Sequence, residues 1–122
     1  MTEEMTALAR RAVACKGWRW MPGMRWWTDD DDDDRGRLDD YQPEYMGRPA
    51  NALPDLTDPA TLGCLLALVR TAWGDPTLCV VLDTSDGRWC VERRCGDIRV
   101  FQYGTQGDTE AEALVAALAA AP

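Results

Sequence analysis

The sequence predicts an α+β fold in an α-β-α layered arrangement around an antiparallel three-stranded sheet. Three observations predict it: apolar stripes at helical spacing near both ends and in the middle, three successive strand-like runs joined by short turns, and a globular composition. The chain has 122 residues, 46% of them hydrophobic and 28% charged. A chain of this length buries roughly two thirds of its unfolded surface, enough for one self-sufficient core. We therefore expect a single domain over 1–122 in the order helix, aromatic arm, helix, three strands, helix.

The first helix is expected over residues 2–15. Met5, Leu8, Ala9, Ala12 and Val13 recur at helical spacing, with Glu3 and Glu4 in the first turn and Arg10, Arg11 and Lys16 towards the end, as the helix dipole favours. Gly17 stops it. The following GWRWMPGMRWW alternates Trp18 and Trp20 with Arg19, and the Pro22-Gly23 pair marks a turn, so an aromatic hairpin or arm is expected. Residues 28–52 hold the Asp run with almost no aliphatic side chain and are expected to form an exposed, mobile, acidic insertion.

Order is expected to return before Asp58, a good N-cap with Pro59 at the first helical position. Leu62, Leu65, Leu66, Val69 and Trp73 then share one face before Gly74 ends the helix. With Cys64, Ala67 and Leu68 on its other sides, this helix should lie at the centre of the core. Strands are expected over Thr77–Leu82, Arg88–Arg94 and Ile98–Tyr103, joined through Asp86-Gly87 and Cys95-Gly96-Asp97 as a meander. Thr109 and Glu112 form a capping box ahead of a last helix with Ala111, Leu114, Val115 and Leu118 on its apolar stripe. The N-terminal helix or the Trp arm is expected to cover the free face of the sheet.

Composition removes most chemistry. With no His, one Lys (Lys16) and one Ser (Ser85), neither a Ser-His-Asp or Cys-His nucleophile nor a His-ligated zinc site can be assembled, and Lys16 has no phosphate-cradling glycine series before it. A non-enzymatic role without catalytic residues or cofactor is expected. Cys90 and Cys95 lack zinc-knuckle spacing, and the odd set of five cysteines in a chain of this size suits reduced thiols in a cytosol. Asp30, Asp32 and Asp34 match the first ligand spacings of a calcium loop, but Arg35 stands where that loop requires Gly and no Glu closes it, so no metal site is expected. The longest apolar run, Leu62–Val69, is far shorter than a membrane span of about 20 residues.

Charge carries the distinctive signal. The net charge is -8, which opposes direct nucleic-acid binding, because such binding releases counterions to Lys and Arg. The helix, three strands, helix order of residues 58–120 matches the double-stranded-RNA-binding fold, yet this segment has five Arg against nine acids and no Lys. From Arg10 to Trp27 there are five basic residues, four Trp and no acid; from Asp29 to Asp40 there are eight Asp against Arg35 and Arg37. The two segments could neutralise each other across the molecule's own surface. Alternatively, the run Asp29, Asp30, Asp31, Asp32, Asp33 and Asp34 could stay extended, at one charge per residue rise of about 3.3 Å, close to the 3.4 Å per charge of a B-DNA strand. Adjacent carboxylates repel by about 1 kcal/mol even in water, and a Debye length of about 8 Å does not screen neighbours. Such a segment suits a basic groove that normally receives a polynucleotide. Asp39, Asp40 and Glu44 would extend the acidic surface, and Trp26 and Trp27 are candidate partner contacts or core residues.

Two stretches, CKGWRWMPGMRW (Cys15–Trp26) and LPDLTDPATLGCLLALVRTAWGDP (Leu53–Pro76), together with TEAEALVAAL near the C-terminus, resemble small proteins of tailed phages and prophages described as the phage ABA sandwich domain. The likeness covers about two thirds of the chain and excludes the Asp run. It implies an α-β-α layering and expression in the cytoplasm of an infected bacterium, and it carries no catalytic residue. Phage accessory proteins of this size and acidity include inhibitors of host defence, some of them anti-CRISPR nucleic-acid mimics, so the expected partner is a host nucleic-acid-binding protein or complex with a basic groove. The alternative is a protein-interaction or assembly module that docks through the Trp-rich arm. Neither reading uses nucleic acid directly or a membrane.

Overall fold

A computed structural model describes residues 2–29, 34–38, 48–95 and 98–122, with backbone alone at 94–95 and 98–105. Thr2 opens α1 (Glu3–Ala14): its side chain accepts the Met5 N–H at 3.1 Å, and Leu8, Ala9 and Ala12 are buried. Asp58 opens α2 (Pro59–Trp73) by accepting the Thr61 N–H at 3.0 Å, and Gly74 closes it in the left-handed region at φ 63°. That positive φ is why glycine stands there. Thr109 opens α3 (Glu110–Ala120) by accepting the Glu112 N–H. The return arm of the cap reaches one residue further back than expected, from Glu112 Oε2 to the Asp108 N–H at 2.8 Å.

The fold is α+β, and the meander is as expected: β4 (Leu78–Asp83), β5 (Arg88–Cys95) and β6 (Ile98–Gly107) pair antiparallel in the order β4-β5-β6. Leu78 faces Arg93 and Val80 faces Val91, while Cys90 pairs with Gln106 and Glu92 with Phe101. The jump between those last two pairs gives β6 extra residues opposite Val91, so the strand is longer than its ladder and bulges. α3 packs along this sheet, with Leu114, Val115, Ala113 and Ala117 fully buried, and α2 packs against α3 and β4. α1 packs on α3 and on β3 (Leu53–Pro54).

Here the structure adds what periodicity did not reveal, a second antiparallel sheet. β1 (Arg25–Trp27) lies between β2 (Arg35–Arg37) and β3, in the order β2-β1-β3. The tryptophan segment is therefore the central strand of a small sheet, and part of the stretch expected to be an insertion belongs to the fold. Arg35–Arg37 is paired, and Leu38 and Ala52 join Met24, Trp26, Leu53 and Leu56 in the core. Strands of two and three residues are too short to show an alternating pattern, which is why charge and glycine content suggested loop instead.

Candidate functional site

The acidic run connects β1 to β2. Its flanks are tightly registered: Arg25 faces Arg37, Trp26 faces Gly36 and Trp27 faces Arg35, and the Thr28 N–H donates to the Asp34 carbonyl at 3.1 Å beyond the last pair. At the other end of the hairpin, the Leu38 N–H donates to the Met24 carbonyl at 2.8 Å and the Gly23 N–H to the Leu38 carbonyl at 2.9 Å. The described residues on either side of the run, Thr28 and Asp34, thus form one end of a closed hairpin. Asp30, Asp31, Asp32, Asp33, Asp39, Asp40 and Glu44 lie outside the described residues.

Two aromatic residues at the base have structural partners. Trp26 is 7% exposed, and its ring lies over Gly36, where an added Cβ would come within 2.9 Å of the indole. Glycine at 36 is thus a packing requirement. Trp27 is half-buried, and its indole N–H donates to the Pro54 carbonyl at 3.2 Å, tying β1 to β3 through a side chain as well as the ladder. Trp18 and Trp20 meet edge-to-face with centroids 5.4 Å apart, and the Arg48 guanidinium stacks over Trp20 at 4.8 Å. Burial lowers the Arg48 pKa from its ordinary value.

The hairpin is bound to α2 by a network centred on Asp58. Arg37 donates to both carboxylate oxygens of Asp58, at 2.8 and 2.9 Å, and also to the Gly23 carbonyl at 2.7 Å. The same carboxylate accepts the Thr61 hydroxyl and N–H, both at 3.0 Å, and the Thr61 oxygen in turn accepts the Arg25 N–H at 2.9 Å. Asp58 therefore serves as helix cap and as the anchor of both strands of the hairpin. The Arg37 hydrogen bond, then those from Thr61, outweigh the cost of burial and hold its carboxyl well below the usual carboxylate range. Arg25 also approaches Asp55 at 3.8 Å, and the Asp55 N–H donates to the Arg25 carbonyl at 2.8 Å.

Of the six consecutive aspartates, the first, Asp29, forms an ion pair with Arg10 on α1. The last, Asp34, is half-buried and contributes its carbonyl to the hairpin closure. No family model, curated protein or solved structure matches this chain.

Among the described residues no cluster of three His, Cys, Asp or Glu side chains could hold a metal ion. Burial pushes the thiols of Cys15 and Cys64 up from their ordinary value, so both stay protonated at neutral pH. A cleft of about 520 Å³ opens beside the ends of α1 and α3, lined by Arg11, Cys15, Lys16, Ala72 and Leu118. No described residue of the hairpin lines it. No helix among the described residues is long and apolar enough to cross a membrane.

The sequence marked Asp58 as a helix cap but did not reveal its second role. Arg37 and Asp58 are 21 positions apart, and no local pattern joins them. The only available signal was compositional: Arg35 and Arg37 are the two cations inside a strongly acidic stretch, and one of them is spent on the scaffold.

Proposed function

We propose that this chain is a non-enzymatic binding protein of phage origin that inhibits a host defence complex by placing Asp29–Asp34 in the groove where that complex takes nucleic acid. The single observation that carries this reading is the paired hairpin β1–β2, whose described ends, Thr28 and Asp34, are hydrogen-bonded to each other on either side of the run. A chain of carboxylates on a loose tail would lose conformational entropy when bound; the same chain held at both ends by Thr28–Asp34 and by Arg37–Asp58 loses less. In an extended conformation its charge spacing would approximate that of a polynucleotide strand, and the net charge of -8 steers the whole molecule towards a basic partner. The site of action in this reading is the bacterial cytoplasm, and Asp39, Asp40 and Glu44 extend the contact.

Tryptophan-mediated docking, the second reading, has less to draw on. Trp26 is buried and Trp27 is engaged with Pro54, which leaves the half-buried Trp18–Trp20 pair under Arg48.

The test is capture from bacterial lysate with the wild-type chain and with a variant carrying Asn at 29–34, followed by elution with duplex DNA or RNA. The proposal predicts a partner that nucleic acid displaces and that the Asn variant does not retain. Equal retention by both chains, or a partner indifferent to nucleic acid, would contradict it.

A further inference from the structure

We infer that β4 is a self-pairing edge through which two copies of this chain join their larger sheets antiparallel about Val81. Among the described residues β4 has a ladder partner on one side only, β5. The direction of its backbone groups follows from two independent observations. Cys95 and Ile98 close the β5–β6 hairpin across two residues, so they exchange hydrogen bonds; counting back in twos turns Arg93 towards β6 and Glu92 and Cys90 towards β4. Cys79 and Val81, their partners, then face inward, and Leu78, Val80 and Leu82 face the open edge. In agreement, the Leu78 carbonyl accepts the Arg70 Nε–H at 2.7 Å from α2.

Edges of this kind are normally guarded by Lys, Pro or an inward-pointing charge. From Leu78 to Leu82 the sequence is LCVVL, with no such device, and Leu82 is 45% exposed, the one large hydrophobic side chain so exposed among the described residues. Arg70 blocks the carbonyl at one end of the strand and leaves Val80 and Leu82 open.

That pattern is self-complementary in one register. With a two-fold axis through Val81, Val80 of each copy faces Leu82 of the other and exchanges both backbone hydrogen bonds with it. Val81 meets Val81, and Cys79 meets Asp83. No like charges are opposed. The Arg70 guanidinium, held at Leu78, is brought to the Asp83 end of the other copy, so opposite charges flank the shared ladder at both ends. A second copy of this chain is thus favoured over a peptide of other composition, because the edge supplies its own matching apolar residues and charges.

Sedimentation across a concentration series tests it, with wild type, Leu82→Lys and Val81→Cys. The wild type is expected to move from monomer to dimer as concentration rises. Leu82→Lys should raise the dissociation constant by about tenfold or more while its thermal transition stays in place, since the side chain lies at the surface. Under mild oxidation Val81→Cys should form a covalent dimer above the background set by the wild-type chain's own cysteines, because a non-hydrogen-bonded pair brings its Cα atoms to about 4.5 Å. A monomeric wild type at every concentration, a Leu82→Lys chain that dimerises equally well, or a Val81→Cys chain that cross-links no more than wild type would each overturn the pairing.

Discussion

Arg37, at the end of a three-residue strand, and Asp58, the cap of α2, form a two-pronged ion pair with N–O distances of 2.8 and 2.9 Å. Asp58 is nearly buried while Arg37 keeps 45% of its side chain exposed, so the carboxylate is fixed by the protein and the guanidinium closes over it from outside. This pair couples the acidic hairpin to the helix behind it. Removing the acid at 58 should cost more than removing the base at 37, because Asp58 also accepts from Thr61. We expect Asp58→Ala to lower stability by about 1–2 kcal/mol through the lost cap, and Arg37→Ala to cost less, both read from urea midpoints. Equal, negligible losses would place the anchor elsewhere.

The same pair sets a pH dependence. The folded-state pKa of Asp58 is held below its unfolded value of about 3.9. Its contribution is therefore complete above that unfolded value and is lost as pH falls below it towards the folded pKa. Asp75 is shifted in the same direction, by the Thr77 hydroxyl and N–H and by Arg93, and adds to the same loss. Wild type should lose more stability between neutral pH and pH 3 than Asp58→Asn does, measured as the change in urea midpoint. Parallel losses in the two chains would show that the carboxylate is not the titrating group.

Gly36 and Trp26 make a third prediction. A methyl at 36 has to displace an indole that the core holds, so Gly36→Ala should cost about 1–3 kcal/mol by overpacking. It should also alter tryptophan emission. A neutral substitution would mean that β2 shifts away from β1 at little cost, and the hairpin would not be the rigid base described above.

Arg10 offers a test of the charge account that leaves the core untouched. Its ion pair with Asp29 joins two partly exposed side chains and is worth at most about 1 kcal/mol of stability. Arg10→Ala should lower the thermal transition by no more than about 5 °C and strengthen binding to a basic partner, because Asp29 then carries an uncompensated charge. Weaker binding would show that Arg10 positions the run.

Much of the fold was legible because long elements carry period and caps together. Asp58-Pro59 and Gly74 bracket α2, Thr109 and Glu112 open α3, and Asp86-Gly87 marks the turn between β4 and β5. The small sheet was not legible. Arg35–Arg37 has no apolar residue and pairs because Trp26 needs a glycine opposite it, a requirement visible only once β1 and β2 are side by side. For the same reason the tryptophans read as an arm: Trp26 belongs to a core shared with Leu38, Leu53 and Leu56, which arrive from other parts of the chain. At the site, the sequence identified the charged run, whereas its anchor is a contact between residues far apart in sequence.

The salt dependence of partner binding, compared between wild type and the chain with Asn at 29–34, bears most directly on whether those carboxylates stand in for a polynucleotide. The account predicts wild-type affinity that falls steeply with added salt, and a variant that binds weakly with a nearly flat dependence while unfolding at the same temperature. Matching affinities and matching slopes would contradict it.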